Sequence, residues 1–328
     1  MGSKNNLLPW IHDVLTGLDF DSACDPFSGG CSVAYLMKAM GKQVAASDFL
    51  NFPSVIGKAL IENPGKHLDK KNLAQLLKSP SRANHFIEDT YSGIYFTIDD
   101  LKFLDRVSSN ISDVADQHLQ AVAMTALLRS CLKKQPRGVF TITGDLSNYD
   151  DGRRDLKLSM EQHFTEQITA INSACFDNGR NNNAMREDVF SIKPNAIDLV
   201  YLDPPYVPRS DDNCYIKRYH FLEGLSCYWK DVEIDYSTKT KKIVKRQTPF
   251  SYRSEALDAF DRMFRLFRNQ KIVLSYSSNG FPDLKELEQI MGKYKSSIST
   301  FSKPHRYHFG NHASVERSKT IEYLLVGE

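Results

Sequence analysis

The chain has 328 residues, 41% of them hydrophobic and 25% charged, with a formal net charge of +2. That is an ordinary globular composition for one large domain or two modest ones, and it excludes a bulk polycation, so any nucleic-acid surface must come from local basic patches. There is no apolar run near the ~20 residues of a membrane span and no secretory apolar segment after Met1-Gly2, so the expectation is a cytoplasmic protein with no membrane partner.

Leu7, Leu8, Trp10, Ile11, Val14 and Leu15 have helical apolar spacing, with Pro9 tolerated in a first turn. Residues 21–32 read as a strand running into a glycine turn, and 33–40 as the helix that follows. The small residues of Asp25-Pro26-Phe27-Ser28-Gly29-Gly30 let the backbone approach a ligand that the helix N–H groups face. A second strand over 43–48 ends in Asp48, at a place where an acid commonly binds ribose hydroxyls. A tight turn with no ligand is the alternative.

Helical patterns broken by polar loops fill 51–183, notably 113–132. There an amphipathic helix carrying Arg129 runs into a basic loop with Lys133, Lys134 and Arg137. These cations suit phosphates or a guanine edge, and equally a solvated helix C-terminus.

Strand pattern returns after 183, with 185–190 leading to the apolar run Leu199-Val200-Tyr201-Leu202. That run stops at Asp203-Pro204-Pro205-Tyr206, which puts the acid at the carboxyl end of a buried strand, where open α/β sheets place their ligands. The two prolines fix φ and remove two N–H donors. Acceptors without donors suit a group that only donates, such as an amine, and the ring of Tyr206 suits a flat substrate. The other reading is a strand ending in a Pro-Pro turn with Asp203 as a cap.

Tyr219 belongs to a mixed aromatic and basic stretch over 215–222. Residues 232–236 and 242–245 suggest a β-hairpin whose tip and second arm carry Lys239, Lys241 and Lys242, resting on DNA or guarding an edge. Residues 255–267 and 284–291 read as helices, and 272–276 and 321–326 as strands. The six cysteines have no zinc spacing and read as reduced thiols. His305, His308 and His312 would need a helix to converge, which Gly310 opposes, so no metal site is expected.

Asp203-Pro204-Pro205-Tyr206 matches the motif of amino-directed DNA methyltransferases, and several stretches agree in order with the bacterial DNA adenine methylase family. Gly2-Ser3-Lys4 with Leu7 to Ile11 resembles its N-terminal cofactor motif, and Asp25 to Gly30 its S-adenosylmethionine loop. Arg129, Gly138 and Phe140 fit its target-recognition segment, and Arg137 fits loosely. Residues 186–190, 219–221 and 322–325 resemble its acidic segment, its aromatic motif and its last strand. In one departure Cys31 stands where the family's second glycine falls; Gly30 could supply the freedom one residue earlier.

The resemblance implies a Rossmann-like α/β methyltransferase sheet from residues 1–60 and 185–328, with a mostly helical target-recognition insertion over 61–184. It implies methyl transfer from S-adenosylmethionine to the N6-amino group of an adenine flipped out of double-stranded DNA, in a restriction–modification or phage setting with a possible cognate restriction endonuclease. Asp203, Pro204, Pro205 and Tyr206 would be catalytic. Asp48 would take the cofactor ribose and Asp188 its adenine amino group, with Lys4, Trp10, Asp25, Phe27, Ser28, Gly29 and Gly30 around the remainder. The other readings are a cytosine-N4 or RNA amino methyltransferase, a non-catalytic DNA-binding protein on this fold, and a dehydrogenase-type nucleotide fold, which the absence of GxGxxG disfavours.

Overall fold

A computed structural model describes residues 4–79, 84–136, 139–141, 152–208, 215–244, 246–306 and 319–328. Arg137 and Gly138, and likewise Gly2, Ser3, Cys214, Lys245, His308 and His312, lie outside the described residues. The chain forms two compact units, one from Leu50–Ala184 with Tyr215–Lys245, the other from Gly2–Phe49, Met185–Cys214 and Arg246–Glu328. The helical unit thus takes in the expected insertion over 61–184, and residues 215–245 cluster with it.

In the helical unit the helix Gln117–Lys134 is buried along most of its length, from Ala121 to Leu128 and again at Ser130 and Cys131. Asp116 caps it by accepting from the N–H groups of His118 and Leu119. Such a helix, apolar on most sides, is what a core helix requires. A second nucleus is aromatic: Phe140 stacks on Phe221 at 5.0 Å, and Tyr95 meets Phe140 edge-on at 5.3 Å. The Tyr95 hydroxyl lies within 3.1 Å of the carbonyls of Phe140 and Thr240 and of His220 Nε2, which ties the segment at Phe140 to the hairpin at Thr240. Burial pushes the His220 imidazole down to about 4, so it is neutral in the folded protein. Among the described residues the hairpin pairs Ile234 with Ile243 and Asp235 with Lys242, and the Val244 N–H donates to the Glu233 carbonyl at 3.0 Å.

The strands in chain order are β1 (Ser22–Asp25), β2 (Gln43–Asp48), β3 (Asn183–Arg186), β4 (Leu199–Leu202), β5 (Val207–Pro208), β6 (Ile234–Asp235), β7 (Lys242–Ile243), β8 (Lys271–Ser277), β9 (Gly280–Phe281), β10 (Ile298–Arg306) and β11 (Lys319–Gly327). Seven form one sheet in the order β10-β11-β8-β4-β1-β2-β3. β2, β1, β4 and β8 run parallel, and β11 is antiparallel to both β8 and β10. The chain leaves β1 toward β2 on one side, while β4 joins on the other. That reversal opens a crevice at the carboxyl ends of β1 and β4, where such sheets bind ligands. The apolar faces pack on the helix Arg253–Leu266, with Phe260, Met263 and Phe264 fully buried.

β10 has no counterpart in the sequence pattern. It is an edge strand, so Pro304 can sit within it opposite Ile321 without breaking an inner ladder, and a strand interrupted by proline reads as a loop.

The two central strands are pinned at their amino ends by Asp198. Its Oδ2 accepts from the N–H groups of Asp21 and Ser22, both at 2.9 Å, and from the Ser22 hydroxyl at 2.8 Å. These donors hold its carboxyl below the usual range, so its contribution is present at neutral pH and is lost as pH falls through that lowered value. Asp198→Asn should lower unfolding free energy by ~1–2 kcal/mol at pH 7. The difference from wild type should vanish in acid, which denaturant unfolding across pH would check.

Candidate active site

The sheet's crevice is built from four short stretches of the β-sheet unit. β1 ends in Asp25, which is 2% exposed. The turn after it is held by Ser28 N–H to the Ser47 carbonyl at 3.0 Å and by Gly29 N–H to Asp48 Oδ2 at 3.1 Å. Two residues of that turn are left-handed, Gly29 at φ 47° and Cys31 at φ 58°, while Gly30 is not. The freedom expected at Gly30 is therefore taken at Gly29 and at Cys31 itself, a non-glycine conformation that costs ~1–2 kcal/mol. No side chain caps the helix Ser32–Ala39 that follows, and its Cys31 N-cap is fully buried.

β2 delivers Asp48, 8% exposed. β4 delivers Asp203, followed by the two prolines and Tyr206, and the chain then pairs as β5 with β9. That pairing supports the motif from behind. Tyr206 packs on Tyr276 with ring centroids 5.1 Å apart, and Gly280 of β9 passes so close that a Cβ there would lie 2.7 Å from the Tyr276 ring. A side chain at Gly280 would displace the ring on which Tyr206 rests.

Electrostatics dominate the crevice. Burial raises the Asp25 carboxyl well above the usual range, and the Asp203 and Asp48 charges raise it further, against the N–H groups of Phe27 and Ala34. Asp203 keeps 24% of its side-chain surface open to solvent. Desolvation raises its carboxyl, the Lys4 ammonium opposes that rise, and Glu322 adds to it. Lys4 Nζ stands 3.3 Å from Asp203 Oδ1 and 3.3 Å from Glu322 Oε2. Lys4, expected in the cofactor lining, thus faces the motif's acid. Glu322 is marked in the sequence by being a lone acid inside the apolar run Ile321-Glu322-Tyr323-Leu324-Leu325-Val326.

The other expected cofactor residues fall in the same unit. Phe27 is half-buried and packs edge-on against Phe250 at 5.6 Å, and Trp10 is half-buried on the helix Leu8–Thr16. Asp188 is exposed and spends one oxygen capping a short 3-10 turn, accepting from Phe190 N–H at 2.9 Å.

The residues expected on DNA divide sharply. Tyr219 is 4% exposed and packs beside Phe52, and burial pushes its hydroxyl up to about 12. Lys134 is paired within the unit. Its ammonium donates to the buried Asp100 carboxylate at 2.9 Å and to the Leu158 carbonyl at 2.6 Å, and Asp100 also accepts from Met160 N–H. Lys133 pairs with Asp155 at 3.1 Å in an open position, and Arg129 donates to Gln167 at 3.0 Å. Lys239 is exposed, while Lys241 donates to the Tyr236 carbonyl. Lys242 is half-buried beside it.

A mostly parallel sheet with an acidic crevice at its switch point, where Asp203 is followed by two prolines that lack N–H donors beside a glycine turn, is a Rossmann-like methyltransferase fold. The chain belongs to the D12 class N6 adenine-specific DNA methyltransferase family, whose model matches residues 1–290. It is therefore an adenine-specific DNA methyltransferase. It is 26% identical to the type II methyltransferase M2.HphI of Haemophilus parahaemolyticus, over 99% of this chain and 96% of that protein. It is 24% identical to the type II methyltransferase M.NlaIII of Neisseria lactamica, over 100% and 98% of the two chains. With the type II methyltransferase M.FokI of Planomicrobium okeanokoites it shares 26% identity, over 99% of this chain but 52% of the longer protein. Among the described residues no helix is long and apolar enough to cross a membrane.

The two neighbouring lysines should behave differently. Lys134→Ala strips a buried carboxylate of its partner and should destabilise the protein by ~3 kcal/mol. Lys133→Ala breaks an open pair and should cost under about 1 kcal/mol. Chemical denaturation of both variants would check this.

Proposed function

We propose that Asp203, Pro204 and Tyr206 carry out methyl transfer to an adenine N6-amino group, with S-adenosylmethionine as donor. The observation that carries this is the Asp203 carboxylate, held beside an ammonium at the mouth of the sheet and followed by two residues that donate nothing. The exocyclic amine is a poor nucleophile because its lone pair is delocalised into the ring. The Asp203 carboxylate and the Pro204 carbonyl accept its two hydrogens, which turns the nitrogen toward tetrahedral geometry and frees the lone pair. As the nitrogen becomes cationic, the carboxylate receives the proton it sheds. The gain is positioning and electrostatics. Tyr206, braced on Tyr276, offers its ring to the extruded base, a contact on the scale of ~1–3 kcal/mol.

The crevice fits the donor chemically. When bound, S-adenosylmethionine supplies an electrophilic methyl on a sulfonium cation. Burial first, and then the charges of Asp203 and Asp48, raise the Asp25 carboxyl, and a cationic ligand offsets the part that comes from those charges. Asp48 binds the ribose hydroxyls, and the turn at Phe27, Ser28, Gly29 and Gly30 lets the backbone come close. Lys4, Trp10 and Asp188 complete the lining.

The helical unit is the reader of duplex DNA in this proposal. Arg129, Lys133 and Arg137, the last outside the described residues, belong to the segment similar to the family's recognition region. Lys239, Lys241 and Lys242 supply phosphate contacts. The relatives named above are type II methyltransferases, which supports a restriction–modification setting with a cognate restriction endonuclease.

Asp203→Ala should lower methylation at least ~100-fold while leaving cofactor affinity largely intact. Asp48→Ala should weaken S-adenosylmethionine binding and spare DNA affinity. Methylation assays with calorimetric titration of both ligands test the pair; near-wild-type methylation by the Asp203 variant would sink the mechanism. On the DNA side, replacing Lys239, Lys241 and Lys242 with Ala should weaken all DNA alike and flatten the salt dependence by up to about 0.9 log units per lost contact. Arg137→Ala should cost ~1–3 kcal/mol on the cognate site alone. Loss of cognate discrimination in the triple variant would reverse the two surfaces.

A further inference from the structure

The ammonium of Lys4 lies between two carboxylates at equal distance, 3.3 Å from Asp203 Oδ1 and 3.3 Å from Glu322 Oε2. Glu322 is fully buried in β11, where its neighbours along the strand are Ile321, Tyr323, Leu324 and Leu325. An apolar side chain would serve the sheet better, because burying a carboxylate is costly unless it is well paired. The pair also joins residues 318 positions apart, so it is a product of the fold and not of local sequence.

Asp203 has two requirements that conflict. It must be ionised in a desolvated place, which a neighbouring ammonium promotes. It must also have oxygen lone pairs available when the amine arrives, and an ammonium on Oδ1 competes for them. With Asp203 as its sole carboxylate, Lys4 would lose a charged hydrogen bond at the moment of substrate binding, and such bonds are stronger than neutral ones. A second carboxylate at the same distance removes that conflict.

We infer that Glu322 is a positioning residue for methyl transfer: it holds the Lys4 ammonium beside Asp203, and keeps that ammonium when the adenine amino group takes its place on Asp203. The inference rests on the reading of Asp203 as hydrogen acceptor. The charged and titratable groups around that carboxylate are Lys4, Glu322, Asp25, Tyr201 and Tyr206. Lys4 favours the ionised form, while the charge of Glu322 opposes it.

The test is single-turnover methyl transfer as a function of pH for wild type, Glu322→Gln, Lys4→Met, Lys4→Arg and Asp203→Asn. The Asp203 carboxyl is titrated in parallel by carbon-13 NMR in the absence of turnover, and binding of S-adenosylhomocysteine is measured. Lys4→Met removes the cation that favours the carboxylate, so its acid limb should move to higher pH. Glu322→Gln removes an anion that opposes it, so its limb should move to lower pH. The plateau rate of Glu322→Gln should nevertheless fall about 10-fold, because the ammonium has lost the Glu322 carboxylate that keeps it when the amine occupies Asp203. Lys4→Arg should restore the wild-type limb, and the NMR midpoints should move in the same opposed directions. Limbs and midpoints that stay put, or move together, overturn the inference. So does a rate loss in Glu322→Gln matched by an equal loss of S-adenosylhomocysteine binding, which marks a merely structural role. Substantial methylation by Asp203→Asn overturns the underlying reading instead.

Discussion

A carboxylate must stay charged where charge is disfavoured, and the β-sheet unit is arranged around that constraint. Asp203 sits at the end of a fully buried strand, where desolvation drives its carboxyl toward the neutral form. Asp25 ends β1 in the same crevice, and there burial, with the Asp203 and Asp48 charges added, lifts its carboxyl well above the usual range. The Lys4 ammonium is the counterweight, and Glu322 anchors it from the far side of the sheet order. Each element brings one charge that none of the others could supply: the first helical turn the cation, β1 and β2 the crowding acids, β4 the reactive acid, β11 the anchor.

The motif's rigidity comes from outside the motif. Two prolines fix the backbone after Asp203, but the direction of Tyr206 is set by Tyr276 beneath it and by the β5–β9 pairing behind it. Gly280 matters because nothing larger fits against Tyr276. The glycine turn is stiffened in a similar way, with the Gly29 N–H on Asp48 and a strained, fully buried Cys31 at its end. Strain at such a turn is retained when the surrounding packing over-determines it.

In the helical unit, similar residues have different employment. Lys133 and Lys134 are adjacent, yet one is open and the other satisfies a buried acid that also receives a helix-terminal N–H. Tyr219 and Phe140 lie in basic stretches yet both are interior: Tyr219 packs beside Phe52, and Phe140 belongs to the cluster that joins its segment to the lysine-bearing hairpin through Tyr95. The basic surface of this unit is therefore smaller than its count of lysines suggests.

The sequence by itself determined the parallel strands, the glycine turn, the helical middle and the Asp-Pro-Pro-Tyr corner. Each is encoded locally, by apolar runs bounded by breakers, by small residues before a periodic helix, and by a motif four residues long. Short-range signals of that kind survive without tertiary context. The fold alone decided three things. One was the edge strand β10, whose Pro304 hides it from any pattern search. Another was which cations are free and which are spent, since Lys134 differs from Lys133 only in what the helix Met160–Ala174 and Asp100 place beside it. The last was the Lys4–Asp203–Glu322 arrangement, whose members come from the start, the middle and the end of the chain. No local spacing relates residues 318 apart, and only sheet order brings β11 and the first turn to the mouth of β4.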